Sequence, residues 1–394
     1  MRHGIMREHN LAVLLQQVRT HQPVTRARLA GLTGFTKTTV SNLITVLAEA
    51  GLVRDGDLVH EAERGRPGVA VVINPDGGAG LGLEINVDYL AACVLDLNQR
   101  VRYRHLVATD NRARHPEEVV AALSKITKLA IESAADLGLD IAGAVVAVPG
   151  VVDGRKVLRA PNLGWSDVPV ADMLRAGLPE LRLGVEQDNE ANLAALGEMW
   201  FGAGRYLGDF LHVSGEIGIG AGIIVGGQVF RGARGFAGEL GHIVVDPEGP
   251  PCSCGGRGCL ERIAGQEAIL RAAGLTDMIA GSASGPRESI SALVALLESG
   301  DEGALRAVEA AGRTLGAALA TAVKLLDPET VVLGGIFSPL APWVRPAVEE
   351  TLRVGAGEAA PSLVVSPLGG DAAVRGAAGL VIERIHADPA LLLR

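Results

Sequence analysis

The chain has 394 residues, of which 48% are hydrophobic and only 3% aromatic, so it is long enough for two or three domains with aliphatic cores. No apolar run reaches the ~18 residues of a membrane span, and the polar N-terminus lacks the apolar core of a signal peptide. The net charge of −9 is uneven, because residues 1–68 carry nine Lys/Arg against six Asp/Glu. We therefore expect a cytoplasmic protein with no membrane partner, whose basic N-terminal segment meets an anionic partner.

Residues 1–74 predict a DNA-binding domain of the winged helix-turn-helix type. Apolar residues recur at helical spacing in residues 9–20, 25–34 and 36–51, with Thr25 and Thr36 suited to cap the second and third helices. A tight turn at Gly34 before the third helix is typical of a helix-turn-helix. The exposed start of the third helix carries short donors and acceptors suited to phosphates and base edges: Thr36, Lys37, Thr38, Thr39, Ser41 and Asn42.

Two β-like runs follow at residues 52–54 and 70–73, and they flank a polar tip. This pattern predicts a β-wing whose Arg64 and Arg66 reach the DNA backbone or the minor groove. The competing interpretation is a small helical bundle with a solvated charged loop. Because long basic runs are absent, we expect a homodimer or homotetramer that presents several heads to double-stranded operator DNA.

Residues 75–80 predict a linker to a body in which strands alternate with helices. A strand–hairpin opening occurs twice, near residues 81 and 210, which predicts two duplicated α/β lobes around a cleft. We expect the first lobe at residues 81–195, completed by a C-terminal segment at about 370–394. The second lobe is expected at residues 196–369, with a metal-binding loop at 239–261.

Three of the four cysteines, Cys252, Cys254 and Cys259, lie within the eight residues CSCGGRGC. In a cytosolic chain this clustering favours a metal over a disulfide. His242 lies ten residues upstream of the first of them, and thiolates with an imidazole form the closed tetrahedral set that structural Zn²⁺ prefers. The alternative is a group of buried free cysteines, and Cys93, in an apolar strand, is assigned to the core.

A second group of polar residues lies near predicted strand ends: Asn162, Asp188, Asn189, Glu190, Glu239, His242 and Glu261. Such groups suit a polyhydroxyl ligand, because each hydroxyl both donates and accepts a hydrogen bond. Carboxylates at helix starts are also often only caps, so the residue types alone leave convergence open. The Gly-rich segment 214–222 is likewise consistent with a phosphate cradle or with close strand packing.

The segments GELGH at 238–242 and CxCGxxGCxE at 252–261 resemble the signature of the ROK family of repressors and sugar kinases. The preceding winged helix-turn-helix is similar to the repressor branch, and the resemblance covers nearly the whole chain. It implies two actin-like, ribonuclease-H-like α/β lobes and a monosaccharide cleft. It also implies a structural Zn²⁺ held by His242, Cys252, Cys254 and Cys259. The residues that match sugar-facing positions of the family are Asn162, Asn189, Glu190, Glu239, His242 and Glu261, so His242 would serve both metal and sugar.

Three departures distinguish this sequence from the ROK kinases that it resembles. Their DxGGTK-like phosphate loop reads GLEINVDY here, at residues 82–89, and their LGTGxGxG loop reads GEIGIGAG, at residues 215–222. Glu84 replaces the aspartate of the first loop, and Asp88 and Glu216 add carboxylates where triphosphate would bind. Glu190, in NEAN, replaces the aspartate base, and the extra methylene shifts the geometry of attack.

The sequence thus predicts a sugar-responsive DNA-binding repressor of carbohydrate-metabolism genes, similar to xylose-type repressors, with no kinase activity. Its effector is expected between the lobes. One alternative is a sugar kinase that phosphorylates a hexose or a related monosaccharide and carries a DNA-binding head. Another is a repressor that responds to a partner protein instead of a sugar.

Overall fold

The computed structural model describes residues 2–59, 68–112, 114–178, 181–278 and 286–393, without the side chains of residues 2–5 and 286–287. At the N-terminus lies a head of three helices and a three-stranded antiparallel sheet in the order β1-β3-β2. Its elements are α1 (Arg2–His21), β1 (Val24–Thr25), α2 (Arg26–Thr33), α3 (Lys37–Glu49), β2 (Val53–Val59) and β3 (Gly68–Ile73). The predicted wing arginines, Arg64 and Arg66, lie outside the described residues.

The caps of the head helices are those that the sequence predicts. The Thr25 hydroxyl accepts a hydrogen bond from the Arg28 N–H at 3.2 Å, and α2 ends at Gly34, whose φ of +73° favours glycine. The Thr36 hydroxyl accepts from the Thr39 N–H at 3.1 Å and starts α3. The buried face of α3 consists of Val40, Leu43, Ile44 and Leu47. The predicted helix-turn-helix is therefore confirmed.

The first lobe is built on a five-stranded sheet in the order β11-β7-β4-β5-β6. Strands β11, β7 and β4 are parallel, and the last two pairings are antiparallel. The elements are β4 (Gly78–Ile85), β5 (Tyr89–Asp96), β6 (Val101–Ala108), α4 (Pro116–Asp136), β7 (Asp140–Val148), β8 (Val151–Val152), β9 (Val157–Ala160), β10 (Trp165–Val168), α5 (Val170–Arg175), β11 (Val185–Asn189) and α6 (Glu190–Phe201). Strands β8 to β10 form a small antiparallel arm.

The second lobe repeats this plan in a sheet of order β14-β13-β12-β15-β16, with parallel β12, β15 and β16 and two antiparallel pairings. The elements are β12 (Phe210–Gly215), β13 (Ile219–Val225), β14 (Gln228–Val229), α7 (Leu260–Ala264), α8 (Gln266–Ala272), α9 (Pro286–Glu298), α10 (Glu302–Leu326), β15 (Thr330–Gly335), α11 (Ala341–Ala356) and β16 (Ser362–Val365). The last helix of the chain, α12 (Ala372–Ala387), returns to the first lobe. Two lobes with the same strand pattern confirm the predicted duplicated α/β architecture. None of the described helices is both long and apolar enough to cross a bilayer.

The C-terminal helix α12 packs on the first sheet and on α6. This contact is close: a Cβ at Gly82 would lie 2.0 Å from the Val374 carbonyl oxygen, and one at Gly376 would lie 1.8 Å from the Leu193 carbonyl oxygen. Only glycine permits such an approach of two backbones. The end of the chain therefore covers the sheet of the first lobe.

Two predicted boundaries differ from the structure. Strand β4 begins at Gly78, so the predicted linker 75–80 contains three residues that pair in the sheet. A Cβ at Gly80 would lie 2.5 Å from the Ala378 carbonyl oxygen, so this glycine serves close packing rather than flexibility. Helix α6 runs across the expected boundary between residues 195 and 196, because its apolar faces contact both sheets.

The head is packed directly on the first lobe. Leu11 and Leu15 of α1 belong to the same hydrophobic cluster as Leu97, after β5, and Ile385 of α12. The Arg19 guanidinium donates to both carboxylate oxygens of Glu383 on α12, at 2.9 and 2.6 Å. A continuous core and a bidentate ion pair thus join the head to the first lobe.

Candidate functional site

A cleft lies between the two lobes and is lined by residues from both. All six residues predicted to face a sugar line this cleft: Asn162, Asn189, Glu190, Glu239, His242 and Glu261. Three further polar residues, Asn86, Ser214 and Glu216, line it as well. Asn86 and Glu216 lie in the two altered phosphate loops, a position that could have suggested them. Ser214 is the first residue of the Gly-rich segment 214–222.

The end of β11 and the start of α6 supply the first-lobe carboxylate and amide. The Asn189 side chain caps α6, because its Oδ1 accepts from the Asn192 N–H at 3.0 Å while its Nδ2 donates to the Gly150 carbonyl at 2.7 Å. Asn189 is thus largely committed to holding the backbone, and Glu190 is the residue that faces the cleft with a free carboxyl group. Asp188 points elsewhere and pairs with Arg231 of the second lobe.

Asn162 connects the arm of the first lobe to the cysteine-rich loop of the second. Its Oδ1 accepts a hydrogen bond from Ser253 Oγ at 2.8 Å, and its Nδ2 lies 3.5 Å from Glu261 Oε2. Glu261 Oε1 in turn lies 3.1 Å from Cys252 Sγ. A ligand in the cleft would therefore meet a polar bridge that already spans both lobes.

The cleft is acidic, and burial keeps part of that acid neutral. Burial, reinforced by the carboxylates of Glu84 and Asp88, raises the pKa of Glu190 to about 8. Burial likewise raises the pKa of Glu84 to about 7, although the Tyr89 hydroxyl, which donates to it at 2.6 Å, opposes this shift. Burial also raises the pKa of Glu239. The raised pKa favours the protonated form of Glu190, which can donate a hydrogen bond to a ligand hydroxyl.

The predicted metal ligands His242, Cys252, Cys254 and Cys259 form a compact cluster. Their ligand atoms all lie within 4.8 Å of one another. Cys254 Sγ lies 3.7 Å from Cys259 Sγ, and Cys252 Sγ lies 3.7 Å from His242 Nδ1. Two thiolates bound at about 2.3 Å to one tetrahedral zinc lie about 3.8 Å apart. The cluster thus has the donor set and the spacing that suit a tetrahedral metal ion.

The fold of the cysteine-rich loop explains this convergence. Isolated β-bridges pair Val244 with Cys259 and Pro251 with Arg257, which brings the two ends of the loop together. His242 closes a 3₁₀ turn, Leu240–His242, that directly precedes the loop. Its Nδ1 faces Cys252, while its Nε2 lies 3.6 Å from Glu239 Oε2 in the cleft. One imidazole ring therefore touches both the metal cluster and the cleft, as the double use of His242 requires.

The predicted DNA-contacting residues of α3 share one exposed surface. Thr36, Lys37, Thr38, Ser41 and Asn42 are exposed, whereas Thr39 is half-buried. The Thr39 hydroxyl forms a hydrogen bond with the Thr36 hydroxyl at 2.8 Å. The start of α3 thus presents a polar surface with one cation, and Thr39 belongs partly to the cap.

The chain is similar to repressors along most of its length. The putative xylose repressor of Caldicellulosiruptor sp. (strain Rt8B.4) is 33% identical over 342 residues, which are 84% of each chain. The xylose repressor of Bacillus subtilis (strain 168) is 29% identical over 382 residues, which are 95% of each chain.

Two solved structures share the fold. One is a ROK family transcriptional regulator described as a homolog of the E. coli MLC protein, with a TM-score of 0.78, 24% identity and 98% coverage of both chains. The other is a ROK family glucokinase from Streptomyces griseus in complex with glucose and AMPPNP. It has a TM-score of 0.66 and 32% identity, covering 77% of this chain and 99% of that one.

The family assignment follows from these matches and from a profile. The profile of the ROK family matches residues 80–384, most of the chain. The two actin-like lobes form the α/β fold of that family, and the N-terminal helical region fits a DNA-binding domain. This chain belongs to the ROK family.

Proposed function

We propose that the protein is a transcriptional repressor of carbohydrate-metabolism genes that releases operator DNA when a monosaccharide binds between its lobes. One observation carries this proposal: six polar residues from both lobes meet in one cleft of a body that is packed against a helix-turn-helix head. Relatives named xylose repressors, which match 84% to 95% of the chain, support it. Operator contacts are assigned to the start of α3 and to Arg64 and Arg66.

The composition of the cleft favours an uncharged sugar over a sugar phosphate or a sugar acid. Glu190, Glu216, Glu239 and Glu261 line it, and no Lys or Arg does so within the described part of the chain. An anionic ligand would be buried among carboxylates with no cation to pair with. A neutral monosaccharide can instead donate hydrogen bonds from its hydroxyls to these oxygens and accept a hydrogen bond from the protonated carboxyl group of Glu190.

We assign a structural Zn²⁺ to His242, Cys252, Cys254 and Cys259. The ion would supply a covalent-like cross-link between the 3₁₀ turn and the cysteine-rich loop. His242 Nδ1 is the ring atom placed for the metal, which leaves Nε2 for Glu239 and a sugar hydroxyl. The same cross-link would hold Glu261 against the cleft, because Glu261 follows Cys259 by two residues.

The binding of sugar is proposed to act on the head through the lobes. A ligand that contacts both lobes favours their closed arrangement by its differential affinity for that state. The head is packed on the first lobe, so closure moves the second lobe relative to the head. In a homodimer or homotetramer this movement changes the distance between two heads. The DNA duplex fixes the distance between half-sites at whole helical turns of about 34 Å each. Sugar is therefore expected to lower operator affinity.

Absence of kinase activity is part of the proposal. Asp88 and Glu216 place additional carboxylates in the segments that replace the phosphate loops of kinases. Triphosphate transfer needs cationic groups and metal there to neutralise the developing charge. The rival function, a sugar kinase with a DNA-binding head, draws support from an acid at position 190 and from kinase relatives such as the Streptomyces griseus enzyme.

A melting-shift screen against neutral monosaccharides, their phosphates and uronic acids tests the proposal directly. We expect a neutral sugar to raise the melting temperature and to weaken binding to DNA fragments that the protein itself selects from a genomic library. ADP formation from ATP with any sugar of the panel would favour the kinase. No shift with any sugar would favour a repressor controlled by a partner protein.

A further inference from the structure

Two hydrogen bonds join the arm of the first lobe to the cysteine-rich loop of the second lobe. The Arg159 guanidinium donates to the Cys254 carbonyl at 2.7 Å. The Ser253 hydroxyl donates to Asn162 Oδ1 at 2.8 Å. Asn162 lines the sugar cleft, whereas Ser253 and Arg159 are exposed. Both bonds therefore cross from one lobe to the other at the rim of the cleft.

The side-chain amide of Asn162 lies between two partners from the second lobe. Its Nδ2 is 3.5 Å from Glu261 Oε2, and because a carboxylate oxygen accepts hydrogen bonds, the donor end of the amide must face Glu261. The acceptor end then faces Ser253, whose hydroxyl donates to it. The contact with Glu261 is long for a hydrogen bond, whereas the contact with Ser253 has the ordinary length. Glu261 thus decides which end of the amide faces it, and Ser253 holds the amide in place.

Gly218 leaves the room that this arrangement needs. A Cβ at Gly218 would lie 2.7 Å from Glu261 Oε2 and 3.1 Å from Asn162 Nδ2. The φ of Gly218 lies outside the left-handed region that favours glycine, so space rather than backbone conformation accounts for this residue. The backbone of the second lobe therefore packs directly against the amide and its carboxylate partner.

The metal cluster supports both partners of the amide. Ser253 lies between two of the proposed metal ligands, Cys252 and Cys254, so a bound metal would fix the backbone on both sides of it. Cys252 Sγ also lies 3.1 Å from Glu261 Oε1. The same cluster thus places the donor for one end of the Asn162 amide and the acceptor for the other end.

We propose that Ser253 is a positioning residue of the sugar site. Its hydroxyl holds the Asn162 amide against Glu261, and the amide and carboxylate then form a ready pair for one sugar hydroxyl, which accepts from the first and donates to the second. Because the bond crosses the lobes, it also stabilises the closed arrangement of arm and loop. The effect on sugar binding rests on the proposed function, whereas the effect on the arm does not.

Two variants of the same shape test the hydroxyl, because Ser253→Thr keeps it and Ser253→Val replaces it with a methyl group. Calorimetry with the sugar found in the melting screen should give wild-type affinity for Ser253→Thr and an affinity about three- to tenfold lower for Ser253→Val, as expected for one hydrogen bond. Metal analysis should find the same zinc content in both. Equal sugar affinity in the two variants, or loss of metal in Ser253→Val alone, would overturn the proposal.

A double-mutant cycle tests whether Ser253 acts through Asn162. In the Asn162→Ala background, Ser253→Val should cause no further loss of sugar affinity. Additive losses would show that Ser253 acts by another route and would overturn the proposal. Ser166→Val is the matched control, because the exposed Ser166 hydroxyl donates to the Leu158 carbonyl within the arm, and sugar affinity should stay at the wild-type value.

Hydrogen exchange without sugar separates this proposal from the proposed function. The backbone amides of residues 160–165 should exchange several-fold faster in Ser253→Val than in Ser253→Thr, because the arm opens more often when the bond is lost. Equal exchange rates would overturn the proposal even if a sugar binds. If the rates differ and the wild type binds no sugar, the positioning of Asn162 stands and the proposed function fails.

Discussion

The contact between the head and the first lobe differs in chemistry from the contact between the two lobes. The first is an apolar core, in which Leu11 and Leu15 join Leu97 and Ile385. The second, away from the helix α6 that packs on both sheets, is a polar cleft. It is crossed by separate ionic and hydrogen-bonded contacts: Arg112 to Glu267 at 3.0 Å, Arg159 to the Cys254 carbonyl at 2.7 Å, and Asp188 to Arg231.

This difference indicates where the molecule moves. Separating an apolar interface exposes surface to water at about 25 cal/mol per Å², so the head is expected to stay with the first lobe. Exposed ion pairs contribute about 0–1 kcal/mol each, because water replaces the lost partner. The lobes can therefore open and close at low cost, and a ligand between them can bias that equilibrium.

The largest expected effect concerns the metal cluster of the cleft. Metal analysis of the purified protein should find about one Zn²⁺ per chain. Cys254→Ser should lose it and strongly lower the melting temperature of the second lobe, because structural zinc contributes on the order of 10 kcal/mol in small zinc domains. Cys93→Ala removes a thiol outside the cluster and should keep the metal. A fully folded, metal-free wild type would contradict the assignment.

A cavity in the apolar contact should affect the head and the first lobe together. Leu15 is fully buried in the hydrophobic cluster that the head shares with the first lobe, so Leu15→Ala should lower the free energy of unfolding by about 2–5 kcal/mol. Leu58, which is 66% exposed, is the control, and Leu58→Ala should change the free energy of unfolding by less than about 0.5 kcal/mol. Hydrogen exchange should show α1 and α12 losing protection at the same rate. Loss of protection in α1 alone would show that the head unfolds independently.

Removal of one cleft carboxylate should separate sugar response from DNA binding. Glu239→Ala should weaken sugar binding about tenfold to a hundredfold, because a sugar hydroxyl is left unpaired in a desolvated cleft. Operator affinity without sugar should stay at the wild-type value. The exposed Glu248, in the cysteine-rich loop, gives a matched control in Glu248→Ala. If Glu239→Ala still responds to sugar like the wild type, the cleft assignment fails; if sugar tightens wild-type DNA binding, the proposed sign is wrong.

Charge at the start of α3 should matter for DNA and not for sugar. Lys37→Ala should weaken operator binding about three- to tenfold and lower the slope of log affinity against log salt by about 1. Arg66→Ala should act in the same direction. Lys125, exposed on α4, is the control, and Lys125→Ala should change neither quantity. Wild-type affinity and slope in both head variants would refute the assigned DNA surface.

The smallest expected effect is on pH dependence. Because the pKa of Glu190 is raised to about 8, its carboxyl group donates to the sugar below that pH and is ionised above it. Sugar affinity should therefore fall several-fold as pH rises through about 8. Glu190→Gln keeps a neutral donor and should flatten the profile near pH 8. If sugar affinity falls with pH in Glu190→Gln as it does in the wild type, the pH dependence belongs to another group, such as Glu84.

Local patterns in the sequence were sufficient for the head helices and for the metal cluster. The caps at Thr25 and Thr36 act within three residues, and the cysteines are close in sequence, so neighbours along the chain are neighbours in space. The linker prediction was wrong for Gly78–Gly80, because glycine there permits the approach of α12, nearly 300 residues away. Composition alone does not distinguish a flexible glycine from a closely packed one.

The sequence by itself determined the two-lobed α/β class, the caps and the candidate ligands, since periodicity, capping and residue chemistry are local properties. Only the tertiary structure decided that Asn162, Glu190 and Glu239 meet in one cleft, that Asn189 is mainly a helix cap, and that the head shares a core with the first lobe. It alone revealed the hydrogen bond from Ser253 to Asn162 across the two lobes. Each of these depends on contacts between distant segments, which arise when buried apolar surface brings the lobes and the C-terminal helix together.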